Sequence, residues 1–270
     1  MKTKIIFRVF VYTFAVIGFI LVAGFFAVKW GLTDTKGVMD PYGRHIESAG
    51  TQKIVSPLPW TSGEEWKTFE VAAIKEEPAI SRAAAQTGVS SRLILSLLFV
   101  EQMRLYHSER ELFKTVFQPL ALLGNQSKFS WGIMGLKEKT AIATEEHLRD
   151  SASPFYLGPT YEHLLDFSTE NTAEERFLRI INEENHYYSY LYAGLYLKQI
   201  TRQWELEGHD ISNQPEILST LFNIGFENSH PNPAPRSGGS EIEINGTTYS
   251  FGSLAHEFYY SGELADFFPY

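Results

Sequence analysis

The segment Leu93-Ile94-Leu95-Ser96-Leu97-Leu98-Phe99-Val100-Glu101 constrains the fold of this chain more than any other. It is apolar almost all round and sits within helical spacing over residues 90–106, so it reads as a helix of the core. On that helix the neighbours of Glu101 at i−7, i−4 and i−3 are Ile94, Leu97 and Leu98, which places its carboxylate on an apolar stripe. Loss of water disfavours the charged form of a carboxyl group. A Glu tuned in this way can hold a proton near neutral pH and deliver it to a leaving group. The competing reading is a partly buried Glu paired locally with Arg104 at i+3.

Helical spacing recurs over 64–87, 109–117, 137–149, 172–182, 184–206 and 214–223. Ser90 or Ser91 is suited to cap the Glu101 helix, and Gly88 to end the helix before it. Residues 151–170 are irregular, with Pro154, Gly158 and Pro159. Residues 228–240 form a Pro/Gly/Ser/Asn loop. After it, alternating residues around Asn245-Gly246 predict a β-hairpin over 241–249. A short helix at 252–264 and an aromatic tail, Phe267-Phe268-Pro269-Tyr270, follow. The expected body, residues 64–270, is mainly α with a small C-terminal hairpin, and a hydrophobic content of 44% is ordinary for a globular core.

Residues 9–28 carry no charge, a length that matches the ~20 residues of a membrane-spanning helix. Lys2, Lys4 and Arg8 precede this run, which predicts a cytoplasmic N-terminus and an exported body. A cleaved signal peptide is the alternative, although the run is long for one and no Ala-x-Ala site follows. The expected layout is a single-pass anchor at 1–30, a Gly/Pro-punctuated tether at 31–63, and then the helical body. A formal net charge of −9 argues against nucleic acid as a partner. The absence of cysteine excludes disulfides, thiolate zinc sites and Cys nucleophiles.

No GxGxxG, Walker A, HExxH or GxSxG motif is present. The eight histidines include no i, i+4 pair, and His147 and His186 read as structural. Neither a metal nor a cofactor is expected. Glu145-Glu146 and Glu183-Glu184 read as solvated helix faces. Tyr187, Tyr188, Tyr190, Tyr192 and Tyr196 form an aromatic cluster that reads as helix packing, with a sugar-stacking wall as the alternative.

Three segments carry a joint signal: the helix ending in Glu101; Ser130-Trp131-Gly132-Ile133-Met134-Gly135-Leu136 with Thr140-Ala141; and Leu221-Phe222-Asn223-Ile224-Gly225, after a helix containing Ala193-Gly194-Leu195-Tyr196-Leu197. Together and in this order they resemble the lysozyme-like domain of the soluble lytic transglycosylases, over roughly residues 70–228. That family has a catalytic Glu followed by Ser, a Gly-Leu-Met-Gln segment with Thr-Ala eight and nine residues after its Gly, and an Ala-Tyr-Asn-x-Gly segment. Here Gln102 stands in place of the Ser, Gly135 in place of the Gln, and Phe222 in place of the Tyr.

The resemblance implies a lysozyme-like fold and a lyase-type cleavage of the glycan strands of peptidoglycan, in the periplasm or outside the cell membrane. Glu101 would be the single general acid/base, first protonating the glycosidic oxygen between N-acetylmuramic acid and N-acetylglucosamine. It would then deprotonate the muramoyl 6-hydroxyl, which closes a 1,6-anhydro ring. The substrate's own acetamido group would stabilise the oxocarbenium-like centre, so no second carboxylate is needed, unlike the usual glycosidase pair. Gln102, Ser130, Gly132, Met134, Phe222 and Asn223 would contact substrate, with Asn223 orienting the acetamido group or holding Glu101. Two alternatives stand beside this reading: a non-catalytic wall-binding or scaffolding module working with envelope-assembly proteins, and a hydrolytic muramidase on the same fold.

Overall fold

The structure, a computed structural model, describes residues 58–107 and 130–270, together with Tyr12, residues 16–19 and Val22. The segment expected to form a membrane anchor and the helix expected at 109–117 therefore lie almost wholly outside the described residues. Among the described residues no helix is long and apolar enough to cross a membrane.

The body is mainly α, with helices α1 (Glu64–Thr87), α2 (Ser91–His107), α3 (Glu138–Arg149), α4 (Thr172–Ile180), α5 (Tyr187–Leu206), α6 (Pro215–Ile224) and α7 (Phe251–Tyr260). Strands β1 (Ser130–Trp131) and β2 (Leu136–Lys137) form a short antiparallel pair that local spacing does not predict. Strands β3 (Glu241–Ile244) and β4 (Thr247–Ser250) form the expected hairpin, with Asn245 and Gly246 both at positive φ in its turn.

α2 is the core helix, packed by α1 on one side and α7 on another, while α5 lies against α1. Residues Arg92 to Glu101 of α2 are all buried. Its start is set by Ser90, whose Oγ accepts from the Leu93 amide at 3.2 Å. The preceding helix ends at Gly88, which takes the left-handed conformation (φ 71°) and donates its amide to the Ala84 carbonyl. Gly194 lets α5 approach α1, since a Cβ there would lie 2.9 Å from the Thr87 side chain. The Tyr cluster on α5 is packing: Tyr190, Tyr192 and Tyr196 are fully buried, and Tyr187 carries the Arg82 guanidinium on its ring.

The tether ends earlier than its composition suggested. Leu58 and a 3₁₀ turn at Pro59–Ser62 belong to the packed body. Trp60 is wholly buried among Trp66, Phe99 and Phe258, and its Nε1 donates to Glu257 of α7 at 2.7 Å. The Arg92 guanidinium is also buried, and among the described residues no ion pair holds it. It donates to the carbonyls of Phe258, Tyr259, Glu263 and Phe268 and lies 4.5 Å from the Tyr270 ring. Two of those carbonyls end α7, where orphan acceptors and the negative end of the helix dipole both favour a cation.

Candidate functional site around Glu101

Glu101 reaches the end of the buried stretch of α2 with 2% of its surface exposed. Arg104, one turn on, satisfies its charge: Nη2 and Nε both donate to Oε2, at 2.5 and 3.2 Å. The local pairing weighed from the sequence is thus present. A charge so deeply placed needs such a partner, because an uncompensated buried carboxylate is strongly destabilising.

The β1–β2 turn packs against the same carboxylate. Gly132 and Gly135 both have positive φ (62° and 60°), and the Gly135 amide closes the turn onto the Gly132 carbonyl at 3.2 Å. A Cβ on Gly135 would stand 2.7 Å from Oε2 and 2.9 Å from Cδ of Glu101. Two of the three motif segments, some thirty residues apart in sequence, therefore meet at the carboxylate. The glycine at 135, a departure from the Gly-Leu-Met-Gln pattern, is the residue that this contact requires.

The other sequence-assigned residues have structural tasks. Gln102 Nε2 donates to the Ile133 carbonyl at 2.9 Å and so ties the turn to α2. Met134, expected to line the groove, is fully buried. Gly132 is pressed against the Ile180 carbonyl and Ser189 Oγ, at 2.2 and 2.8 Å from an imagined Cβ, which leaves that side no room for a ligand. The Ser130 backbone pairs with Lys137. Phe222 is buried against the Tyr196 ring, with centroids 5.3 Å apart. Among the described residues no hydrogen bond joins Asn223 to Glu101. Its Oδ1 accepts from the Ser240 amide and hydroxyl at 2.9 and 3.1 Å and pins the 238–240 loop to α6.

The residues just after the third motif reach α3. Phe226 packs on Tyr196 and His147, and Glu227 accepts from Lys139 Nζ at 2.6 Å. Burial acts to raise the Glu227 carboxyl, but Lys139 and the neighbouring Lys137 hold it below its ordinary range.

A cavity of about 350 Å³ lies between α1 and the C-terminal half of α2, walled by Phe69, Ala73, Leu98, Gln102, Tyr106 and Ile133 among others. Glu101 is not in its wall, but Gln102 and Ile133, which fasten the turn, are. Among the described residues no group of three or more His, Asp or Glu side chains converges as a metal site would.

The sequence reading missed a second buried charge cluster and placed one of its members in solvent. Glu145 of α3 is buried and takes both donors of the Arg176 fork at 2.6 Å, while the Tyr192 hydroxyl donates to the same carboxylate at 2.5 Å. Burial and the Glu145 charge push the Tyr192 phenol up, so it stays a donor. No local signal pairs positions 31 residues apart, so only the fold reveals this triad. The chain matches no protein-family model, no curated protein and no solved structure.

Proposed function

We propose that this chain is a peptidoglycan lytic transglycosylase of the lysozyme-like type, with Glu101 as its single acid/base. One observation carries the reading: the Gly132–Gly135 turn lies directly on the carboxyl of a buried Glu in the C-terminal half of the core helix. That contact between two segments of the resemblance supports the reading. Glu101 gives its proton to the glycosidic oxygen as the bond to the muramoyl C1 breaks. It then takes the proton of the 6-hydroxyl, whose oxygen bonds to C1 and closes the anhydro ring. The apolar run at 9–28 would hold the body on the outer face of the cell membrane, where the wall is.

A second reading, a non-catalytic wall-binding module, is favoured by the hold of Arg104 on Oε2 and by the engagement of the Asn223 carbonyl with Ser240. Incubation with peptidoglycan and mass analysis of the products separates the cases. Anhydro-muropeptides from wild type and none from a folded Glu101→Gln variant are expected. Reducing ends would indicate hydrolysis. Binding without product would establish the module, and equal activity in both proteins would remove Glu101 from the chemistry.

A further inference from the structure

Glu101 is held by Arg104 and by the turn that carries Gly135. Arg104 occupies Oε2 with two donors, and Gly135 is packed against the same oxygen and Cδ. The carboxyl is 2% exposed, and the Arg104 side chain is only 11% exposed itself. With the side chain so little exposed, a glycan oxygen has scant access to the carboxyl while Arg104 holds Oε2.

Opening has a chemical condition. A guanidinium drawn from a nearly buried ion pair leaves both charges uncompensated unless it finds another anion, and its planar fork suits a carboxylate best. Glu101, once freed, loses the charge that held it ionised, takes a proton from water, and must then face the group that it protonates. The natural exchange is a carboxylate on the substrate taking Arg104 as the glycosidic oxygen takes its place at Glu101.

We propose that Arg104 is a specificity-determining latch: it keeps Glu101 closed to neutral glycans and releases it when a carboxylate-bearing sugar beside the scissile bond accepts the guanidinium. This rests on the glycan-cleaving reading above and adds to it the chemical class of sugar that opens the site. Gln102 is the supporting catch, since its bond to the Ile133 carbonyl holds the turn shut. Arg104 is then a positioning residue that acts through Glu101.

The test compares the full chain and its Arg104→Gln, Arg104→Lys and Glu101→Gln variants on two polymers, a glycan whose alternate sugars carry free carboxylates and neutral β-1,4-linked N-acetylglucosamine chains. A second readout is independent of cleavage. It is the rate at which a water-soluble carbodiimide with an amine nucleophile labels Glu101, followed by peptide mass analysis.

Wild type is expected to cleave the carboxylated polymer and spare the neutral one. Arg104→Gln is expected to cleave the neutral polymer at least about tenfold faster than wild type and so to lose discrimination, with Glu101 labelled faster by a similar factor. Arg104→Lys keeps the charge without the fork and should fall between, which covers the case in which Arg104→Gln does not fold. Equal cleavage of both polymers by wild type, or unchanged discrimination in both Arg104 variants while Glu101→Gln is inactive, overturns the latch and leaves the acid/base assignment standing. No cleavage of either polymer by any variant overturns the glycan-cleaving reading and the latch with it, whatever the labelling shows.

Discussion

Gly135→Gln places into this chain the residue that the Gly-Leu-Met-Gln pattern carries, yet the structure predicts damage. The first cost is the backbone. Position 135 sits at φ 60°, and a side chain held in left-handed space costs roughly 1–2 kcal/mol. The second cost is steric and falls on Cβ, before the rest of the glutamine matters: that atom would lie 2.7 Å from Glu101 Oε2 and 2.9 Å from Cδ. The carboxylate must then shift, which pulls Oε2 off Arg104. Full rupture of a buried ion pair costs about 3–5 kcal/mol, so a partial shift places the total at about 2–5 kcal/mol. Gly135→Ala should cost nearly the same, because it carries the same offending atom.

Urea unfolding followed by tryptophan fluorescence gives these differences, and a double-mutant cycle separates the two costs. In a Glu101→Ala background the obstacle is gone, and Gly135→Ala should cost only the backbone share, about 1–2 kcal/mol. An equal cost in both backgrounds would refute the contact. A Gly135→Gln protein as stable as wild type would refute the whole geometric account.

Arg92→Met should lower stability by about 3–5 kcal/mol, because four carbonyls lose a charged donor at once. The tail from Glu263 onward should become sensitive to carboxypeptidase before global unfolding, and an unchanged digestion rate would exclude the clamp. Burial raises the Glu216 carboxyl above its ordinary value, so Glu216 favours the fold below pH ~4.5 and opposes it as pH rises through the folded value. Glu216→Gln should therefore unfold at a higher temperature than wild type at pH 7 and lose that advantage at pH 4, and no gain at pH 7 would count against the assignment. Burial lowers His147 below the ordinary 6.5, against the upward pull of Glu146 and Asp150. The unfolded chain then takes the proton first, so the His147 contribution is complete above pH ~6.5 and fades as pH falls through the lowered folded value. Wild type should lose more stability between pH 8 and pH 5.5 than His147→Phe, and parallel losses would show that His147 is not responsible.

Elements set by local spacing were readable from the residues alone. The α2 run, the Gly88 stop, the Ser90 cap and the Asn245-Gly246 turn each depend on neighbours within about four positions, and the structure places all of them where the spacing does. The depth of Glu101 was readable for the same reason, since one stripe of one helix decides it. What escaped notice depends on distant partners. Trp60 sits among Pro and Gly that read as tether, and only the ring contacts with α2 and α7 make it core. Glu145 stood beside Glu146 as an apparent surface pair until Arg176 and Tyr192 closed on it. Gly135 looked like an eroded motif residue, whereas its missing side chain is the space that Glu101 fills.

The Trp60–Glu257 bond spans 197 positions, and the Asn245 amide reaches the Pro59 carbonyl across 186. A ribosome releasing this chain from its N-terminus exposes Trp60, Trp66, Phe69 and Phe99 long before Phe258 exists to stack on Phe99, 4.5 Å between centroids. The aromatic cluster stays open on one side until α7 emerges, so closure is a late event with a large loop entropy to overcome. During that interval the nascent chain presents several aromatic rings to the cell, the kind of surface that holding chaperones bind and that aggregates when they are scarce. A chain stopped before Phe251 should be caught in that condition permanently, and the last helix is then the step that commits the protein to its native state.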